Sequence, residues 1–430
     1  MKTDQIQKVH KDWYKLDLSA IVYPTLQRRD FSSVYRLSVL LKEDIDPEIL
    51  QRAVNLTMPR FPTYKAAIRK GVFWRYLEPN DRPGPFVQED VKNPCQPMHF
   101  KGNNRYLVRI YYYRNRIALE AHHSLGDGTG GMCVLQTLTA TYLRLKGHSE
   151  IENGGFVLDI LGIPDPGELE DAYMKYANAK VCPPRPGEKT YRVRGTKEPF
   201  YTLNIIDGIM SVSEVMRVAK SYNATITEYL NSVLLYALMQ KQESEWHLKL
   251  RPIKIAMPVN LRRFFPSRTL RNFITMIYPG IDPRLGEYTF EEIVTQVHNY
   301  MRYYLNEKLL RGDITTNAET QRNPFIRIVP LFIKDLVVRQ FYTKIQDKNS
   351  SAGLTNMGAL KVPETMKPYI ERFDIYMGQP FSTRTNCAIA SFEDILTINF
   401  ASSIAETDVE RLFFRKLVQD GIHVKIESNR

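Results

Sequence analysis

The sequence predicts an α/β protein with two lobes, each built from mixed β-sheet with flanking helices. Strand and helix segments follow one another without a strict βαβ repeat, which is typical of mixed α/β layers. A segment rich in proline and glycine at 182–199 (CPPRPGEKTYRVRGTKEP) cannot sustain a helix and divides the chain. We therefore predict an N-terminal lobe over 1–181, a linker over 182–199 and a C-terminal lobe over 200–430.

Hydrophobic patterning and cap residues define the elements of the first lobe. In chain order, we predict a strand at 33–42, a helix that starts at Asp46 and Pro47, a strand at 72–78, two strands within 105–123 that turn at Arg114 and Asn115, and a buried helix at 132–145. A glycine-rich turn lies between the last strand and this helix.

The second lobe follows the same logic without obvious sequence similarity to the first. We predict strands at 201–207, 252–261, 372–378, 388–394 and 395–402, and helices near 289–307, 326–344 and 406–419. Two further helices are expected after the linker, the first capped by Ser211 or Ser213 and the second by Thr225 or Thr227.

Composition excludes several classes of protein. Hydrophobic residues make up 43% of the 430 residues and charged residues 25%, so the chain is not intrinsically disordered. Its net charge of +12 favours an anionic partner such as a phosphorylated cofactor, a nucleic acid or a membrane surface. Nucleic acid is disfavoured because no recognised binding module or clustered basic stripe is present.

Four cysteines without a CxxC pair make a disulfide framework or a structural zinc site improbable. The polar N-terminus lacks the apolar core of a signal peptide, and no apolar run approaches the roughly 18 residues of a membrane span. We therefore expect a reduced, cytoplasmic protein with no membrane span.

The most informative segment is 121–131, AHHSLGDGTGG. Adjacent strand residues point to opposite faces, so only one of His122 and His123 can face a given cleft. A histidine has the ordinary pKa, about 6.5, that suits proton abstraction near neutral pH. Asp127 lies four residues after His123 and could orient the imidazole or hold the loop by pairing with an arginine.

Three other interpretations of the same residues stay open. The stretch from Gly126 to Gly131 matches the GxGxxG dinucleotide fingerprint, although HHSL separates it from the strand. His122, His123 and Asp127 could ligate a metal, although adjacent strand histidines diverge and no second ligand cluster is visible. Both histidines could also be core residues beside a glycine-rich turn.

The segment HHSLGDGTGG resembles the HHxxxDG motif of the chloramphenicol acetyltransferase-like, or HxxxD, acyltransferase superfamily. Three more segments are similar to its motifs in the same order: 49–68, 254–273 and 355–358 (TNMG). The chain most resembles the stand-alone alcohol acetyltransferase-like members, which are related to condensation domains. The resemblance implies two chloramphenicol acetyltransferase-like lobes with an active-site tunnel between them.

The resemblance also implies roles for the residues of the motif. His123 matches the catalytic second histidine, His122 the structural first one, and Gly128 the glycine beside the acyl path. Asp127 matches the acid that shapes the loop through an arginine, and we assign it with His123 to the catalytic site. The candidate partners of Asp127 are Arg60, Arg262 and Arg263.

The chain departs from the motifs of the superfamily at several places. Lys65 stands at the later basic position of the early motif, and lysine is a poorer bidentate partner for a carboxylate. Arg271 and Asn272 stand where a Gly-Asn pair is usual. The DFGWG motif of the plant enzymes is absent from the sequence, so their specificity should not be transferred.

A basic cluster near 262–271 could contact the phosphates of coenzyme A, and we assign Arg268 and Arg271 to this role. By resemblance, Thr355 and Gly358 border the tunnel for the pantetheine arm, and Asn356 supports the site. No bound cofactor and no metal are expected, because the acyl thioester of coenzyme A is a cosubstrate.

We therefore expect an enzyme that transfers an acyl group, in the first instance acetyl, from coenzyme A to a small alcohol or amine. His123 would act as general base, and no covalent enzyme intermediate is needed. Two alternatives stay open: a condensation-type protein that takes its acyl group from a carrier protein in trans, and a non-catalytic relic of the fold.

Overall fold

The computed structural model describes residues 13–27, 31–180, 188–245, 247, 249–344, 349–378 and 383–430. The strands are β1 (Tyr14–Lys15), β2 (Val34–Leu41), β3 (Ala66–Lys70), β4 (Arg75–Pro79), β5 (Val87–Glu89), β6 (Val108–Tyr113), β7 (Arg116–His122), β8 (Asn204–Ser211), β9 (Ile253–Asn260), β10 (Ile274–Ile277), β11 (Gly280–Ile281), β12 (Ala352–Ala359), β13 (Ile370–Met377), β14 (Thr385–Phe392), β15 (Ile395–Ser402) and β16 (Lys425–Ser428). The helices are α1 (Tyr23–Leu26), α2 (Pro47–Thr57), α3 (Gly128–Leu145), α4 (Ala172–Tyr176), α5 (Val212–Ser221), α6 (Ile226–Ser244), α7 (Phe290–Tyr304), α8 (Glu307–Arg322), α9 (Pro324–Ile328), α10 (Leu331–Lys344) and α11 (Asp408–Gln419).

The first lobe is built on a sheet with the strand order β13-β2-β7-β6-β5. Strand β2 lies between β13 and β7 and is buried along its whole length, because helix α3 packs against it. Helix α2 packs on α3 and begins at the predicted cap, where the Asp46 carboxylate accepts two backbone amides. A smaller sheet, β1-β4-β3, adjoins this lobe.

The second lobe is built on a larger sheet, β10-β9-β12-β14-β15-β8-β16, with β11 paired to β9. Strand β12 runs parallel to β9 and β14, whereas the other neighbours in this sheet are antiparallel. The predicted caps hold here as well, since Ser211 caps α5 and Thr225 forms a capping box with Glu228 at the start of α6. The mixed α/β fold class is confirmed.

One strand of the second lobe belongs to the sheet of the first. Strand β13 pairs antiparallel with β2 through seven registered positions, so the range 200–430 is not a single contiguous lobe. Periodicity identifies β13 as a strand but carries no information about which sheet edge it joins. The crossover ties the two lobes together by backbone hydrogen bonds.

The helix predicted near 289–307 is α7, and the one predicted at 326–344 is divided into α9 and α10. Helix α8 lies between these ranges and was not predicted. Pro324 starts α9, and Pro330 precedes α10, because proline cannot donate an amide inside a helix. The strand predicted at 72–78 begins at Arg75, after a turn closed by the Gly71 amide and the Trp74 carbonyl. In the described ranges, none of the helices has both the length and the hydropathy to cross a bilayer.

A buried polar seam joins β13 to the larger sheet. The Tyr376 hydroxyl donates to Asp207 Oδ2 at 2.9 Å, and the Asn399 side-chain amide donates to Asp207 Oδ1 at 2.8 Å. The Ile375 amide donates to Asn399 Oδ1 at 3.0 Å, which fixes the amide's orientation. Burial raises the pKa of Asp207 to about 7, and the neighbouring Asp374 acts in the same direction.

This raised pKa predicts a stability that falls as the pH rises. The folded protein binds a proton at Asp207 more tightly than the unfolded chain, so its contribution is complete at low pH and is lost as the pH passes about 7. In Asp207→Asn, the free energy of unfolding should fall less steeply between about pH 4 and 7, by up to about 1.4 kcal/mol per pH unit. Chemical denaturation at several pH values measures this slope, and the exposed Asp44→Asn is the matched control. An unchanged slope in Asp207→Asn would contradict the assignment.

Candidate active site

The two histidines lie where strand β7 meets a tight turn that leads into helix α3. His122 ends the strand and is fully buried, with its ring edge-on to Phe100 at a centroid distance of 5.4 Å. Its Nδ1 accepts the Ser124 amide at 3.2 Å, and burial lowers its pKa to about 3. His122 is therefore a neutral interior residue that shapes the turn, as the resemblance implies.

His123 follows with the opposite orientation and lies between two tyrosine rings. Tyr23 stacks on the imidazole at a centroid distance of 4.7 Å, and Tyr35 lies on it at 4.6 Å with a tilt of 49°. Burial lowers the pKa of His123 to about 4, although the charge of Asp127 acts in the opposite direction. The ring is therefore neutral at physiological pH, and its Nδ1 is buried with no hydrogen-bond partner among the described residues.

The backbone of His123 is held on both sides. Its amide donates to the Ser33 carbonyl at 2.8 Å, and its carbonyl accepts the side-chain amide of Asn272 at 2.9 Å. Asn272 is held in turn by the buried carboxylate of Asp17, whose Oδ2 accepts the same amide group at 3.1 Å. The second lobe thereby fixes the position of the candidate base.

Asp127 caps helix α3, and its carboxylate accepts five hydrogen bonds, of which one is from Arg262 Nη2 to Oδ1 at 3.3 Å. Oδ1 accepts the amides of Thr129 at 3.1 Å and Gly130 at 3.2 Å. Oδ2 accepts Arg262 Nη1 at 2.8 Å and the Phe273 amide at 2.9 Å. Because both oxygens are occupied, the assignment of Asp127 to the catalytic site needs correction: it is a positioning residue that sets the loop.

Arg262 is the partner of Asp127. Its guanidinium also donates to two backbone carbonyls of its own loop. Nε donates to the Thr269 carbonyl at 2.9 Å, and Nη2 donates to the Arg271 carbonyl at 2.6 Å. The other two candidates lie elsewhere, since Arg60 forms a bidentate pair with Glu168 and Arg263 is exposed. The planar fork of arginine suits this arrangement because it can serve several acceptors at once.

Two glycines of the motif permit this contact between the lobes. A Cβ at Gly126 would lie 2.5 Å from the Leu270 carbonyl oxygen, and a Cβ at Gly130 would clash with the same atom even more severely. Gly128 faces Met357 of strand β12, and its Cβ would lie 3.0 Å from the sulfur. Glycine is therefore required where the loop of the second lobe approaches the start of α3.

The predicted residues of strand β12 lie at its end, close to this glycine. The Asn356 side chain receives the Gly358 amide at 2.7 Å and donates to the Thr227 hydroxyl at 2.8 Å. Gly358 has a φ of +73°, a left-handed conformation that favours glycine. Thr355 stands one residue before Asn356 on the same strand and is partly exposed. The structure thus brings 355–358 close to Gly128, and their place beside a pantetheine tunnel stays a prediction.

The two arginines assigned to coenzyme A have different surroundings. Arg268 is exposed over 82% of its side chain and lies 3.7 Å from Asp165, so it can reach a phosphate. Arg271 is buried, and its guanidinium donates to the backbone carbonyls of Lys15 and Leu169. The assignment of Arg271 to coenzyme A does not fit this placement, because the side chain is buried and its Nη1 and Nη2 already donate inside the protein.

The sequence did not identify Tyr23, Tyr35 or Asp17 as part of the site. Tyr35 lies in a strand, and its hydroxyl donates to the Asp127 carbonyl at 3.1 Å. Asp17 lies in an irregular segment and Tyr23 begins the four-residue helix α1, and neither segment has a periodicity that could place them. Asn272 was signalled by the Gly-Asn position of the family motif.

The other interpretations of the motif find little support. The amides after Asp127 are capped by its own carboxylate, and strand β7 is antiparallel to both neighbours, unlike a dinucleotide-binding unit. In the part of the chain that is described, no three His, Cys, Asp or Glu side chains are grouped to hold a metal. An open depression of about 570 Å³ lies on helix α7 at residues such as Glu292 and Gln296, and none of its lining residues belongs to the motif. The tunnel beside His123 stays a prediction.

The contact between Asp127 and Arg262 predicts a large effect of a single substitution. Arg262→Ala leaves a carboxylate that is only 4% exposed without its counter-ion, so we expect a loss of about 3 kcal/mol in the free energy of unfolding. Arg263→Ala removes the exposed neighbouring arginine and should change it by less than about 0.5 kcal/mol. Equilibrium denaturation of both variants measures the difference in the free energy of unfolding. Equal losses would show that the buried pair stabilises the protein no more than the exposed arginine does.

Comparisons with known proteins bear on the fold. No protein-family model matches the sequence, and no curated protein matches it. Solved structures match it over nearly its whole length. TRI101 from F. sporotrichioides, solved with coenzyme A and T-2, is 12% identical with a TM-score of 0.62, covering 97% of this chain and 100% of that one.

Two more solved structures are similar. A mutant of the starter condensation domain of rhizomide synthetase RzmA, in complex with C8-CoA, is 12% identical with a TM-score of 0.60 and 97% coverage of both chains. TRI3 trichothecene 15-O-acetyltransferase from Fusarium sporotrichioides is 14% identical with a TM-score of 0.56, covering 95% of this chain and 94% of that one. The chain therefore has the two-lobed, chloramphenicol acetyltransferase-like fold of TRI101, TRI3 and the condensation domain.

Proposed function

We propose that this protein is an acyltransferase that moves an acyl group, in the first instance acetyl, from coenzyme A to an alcohol or amine. The observation that carries the proposal is the neutral imidazole of His123, held between two tyrosines at the junction of the lobes. The similarity to TRI3, and to structures solved with coenzyme A or C8-CoA, supports the choice of reaction and donor.

His123 would act as general base, which its protonation state allows. As the oxygen or nitrogen of the acceptor bonds to the thioester carbonyl carbon, the imidazole takes the proton that the acceptor loses. The carbon–sulfur bond then breaks with its electron pair on sulfur, and the imidazolium returns the proton to the thiolate. The products are an ester or amide and free coenzyme A, and no covalent enzyme intermediate forms.

Other residues of the site would bind and orient the substrates. Arg268, which is exposed, would meet the phosphates of coenzyme A, while Thr355 and Gly358 would border its pantetheine arm. Asn356, Asp127 and Arg262 would not touch the reacting atoms. Asp127 and Arg262 bond to each other, and the Asn356 side chain bonds to the Gly358 amide and the Thr227 hydroxyl. Their role is to keep the base in place while two substrates meet, which is a major source of rate acceleration.

Replacing the base tests the proposal directly. With the best pair from a panel of acyl-CoA donors and alcohol or amine acceptors, His123→Ala should lower the rate of thiol release by at least about 100-fold. The melting temperature should stay close to that of the parent protein. His423→Ala, at a side chain that is 93% exposed, is the matched control and should keep full activity. Undiminished turnover in His123→Ala would refute the assignment.

The same panel separates the donor classes. Free acetyl-CoA and longer acyl-CoA thioesters are compared with the same acyl groups loaded on a carrier protein, because condensation domains are among the similar structures. Faster transfer from the carrier would favour the condensation-type alternative. No thiol release from any donor would favour a non-catalytic relic of the fold.

The lowered pKa of His123 predicts an unusual pH profile. Since its pKa is about 4, the neutral base is fully present at neutral pH and is lost only when the pH falls towards that value. With an alcohol acceptor, which does not titrate in this range, kcat/KM should stay level between about pH 6 and 8 and decline below about pH 5. Initial rates in overlapping buffers measure the profile. An acid limb centred near the ordinary histidine pKa, about 6.5, would show that the ring is solvated in the working enzyme.

A further inference from the structure

Helices α9 and α10 present large apolar side chains to solvent on the side of the molecule that carries β3 and β4. Helix α10 is anchored by one acidic residue, Asp335, which forms a bidentate pair with Arg75 of β4 at 2.8 and 2.6 Å. Asp335 also accepts the Thr25 hydroxyl at 2.8 Å. These contacts fix which side of α10 faces the protein, and the opposite side is left for solvent.

The solvent side of these helices is apolar rather than polar. Five large side chains are each more than half exposed: Phe325 (76%), Ile328 (69%), Phe332 (74%), Leu336 (60%) and Val337 (61%). Phe332 and Leu336 are one turn apart on α10 and therefore lie on one face. A surface helix of a water-soluble domain normally packs such residues against the core. Their exposure on α9 and α10 therefore indicates a surface that binds a partner.

The turn between β3 and β4 extends the same apolar surface. The Leu331 amide donates to the Val72 carbonyl at 2.9 Å, and Lys334 Nζ donates to the Phe73 carbonyl at 2.9 Å, so the turn lies against the start of α10. Val72 is 71% exposed and Trp74 is 49% exposed. We call the exposed residues of 72–74, α9 and α10 the apolar patch.

Positive charge surrounds the apolar patch. The segment 324–344 contains four basic residues and one acid, a net of +3, and that acid is neutralised by Arg75. Strand β3 leads into the turn with Lys70, which is exposed, whereas Arg69 pairs with Glu78. The whole chain carries +12, so two copies that met through this face would bring like charges together.

We propose that the apolar patch docks on the surface of a bilayer that contains anionic lipid. Exposed Phe, Trp, Leu and Ile would enter the boundary between headgroups and acyl chains, while the basic rim would stay at the level of the headgroups. The protein would then bind the membrane peripherally, without a span. This inference is independent of the proposed acyl transfer.

Vesicle co-sedimentation of the full chain tests the inference. We expect binding to phosphatidylcholine vesicles that contain about one-third phosphatidylserine, and weaker binding to pure phosphatidylcholine or at high salt. Phe332→Ser with Leu336→Ser should lower the partition coefficient by at least about tenfold. The matched control is Leu161→Ser with Leu285→Ser, two leucines outside the patch that are 89% and 80% exposed.

A second variant reports on the charged rim without touching the apolar residues. Lys70→Glu with Arg327→Glu should reduce binding to the anionic vesicles and leave binding to pure phosphatidylcholine unchanged. If the Phe332→Ser, Leu336→Ser variant loses its cooperative melting transition, the charge variant still tests the inference. Failure of the parent protein to bind either vesicle would overturn the inference. So would a concentration-dependent dimer in light scattering that the serine variant abolishes, because the patch would then be an interface between two copies.

Discussion

The buried pair of Asp127 and Arg262 is the interaction on which the candidate site depends. A buried ion pair is costly unless its hydrogen-bonding capacity is filled, and here both partners meet that condition. The carboxylate serves two amides of α3, one amide of the second lobe and the guanidinium, while the guanidinium also serves two backbone carbonyls. Asp127 thus caps helix α3 of the first lobe and also binds the 260–273 loop of the second lobe.

The surroundings of His123 follow from this arrangement. The pair brings the 260–273 loop so close to α3 that Gly126 and Gly130 cannot carry a side chain. The same loop places Asn272 on the His123 carbonyl, and the Tyr35 hydroxyl holds the Asp127 carbonyl. The imidazole is fixed between aromatic rings, and its partial desolvation lowers its pKa. A lower pKa makes the ring a weaker base, yet it keeps all molecules in the reactive, neutral form.

Local patterns in the sequence predicted those parts of the protein that local physics determines. The caps at Asp46, Ser211 and Thr225, and the placement of the motif after a strand, are set by neighbouring residues. The partner of Asp127 is 135 positions away, so spacing could only offer several arginines. The sequence assigns Arg271 to a phosphate because nothing in its own segment shows that its side chain bonds to the carbonyls of Lys15 and Leu169. The sequence around β13 also cannot show which sheet the strand joins, because its partner β2 is distant in the chain.

The position of the arginine has a consequence for how substrates reach the site. Because Arg262 lies in the second lobe, separating the lobes at this end would break its bonds to Asp127 and also the bond from Asn272 to His123. Strand β13 bonds to β2 of the first lobe, and its Tyr376 and Ile375 bond to Asp207 and Asn399 of the second. Two groups of contacts in different parts of the molecule therefore oppose hinge opening. In the proposed acyl transfer, substrates would enter between lobes that stay together, and access would depend on side chains and loops and not on movement of whole lobes.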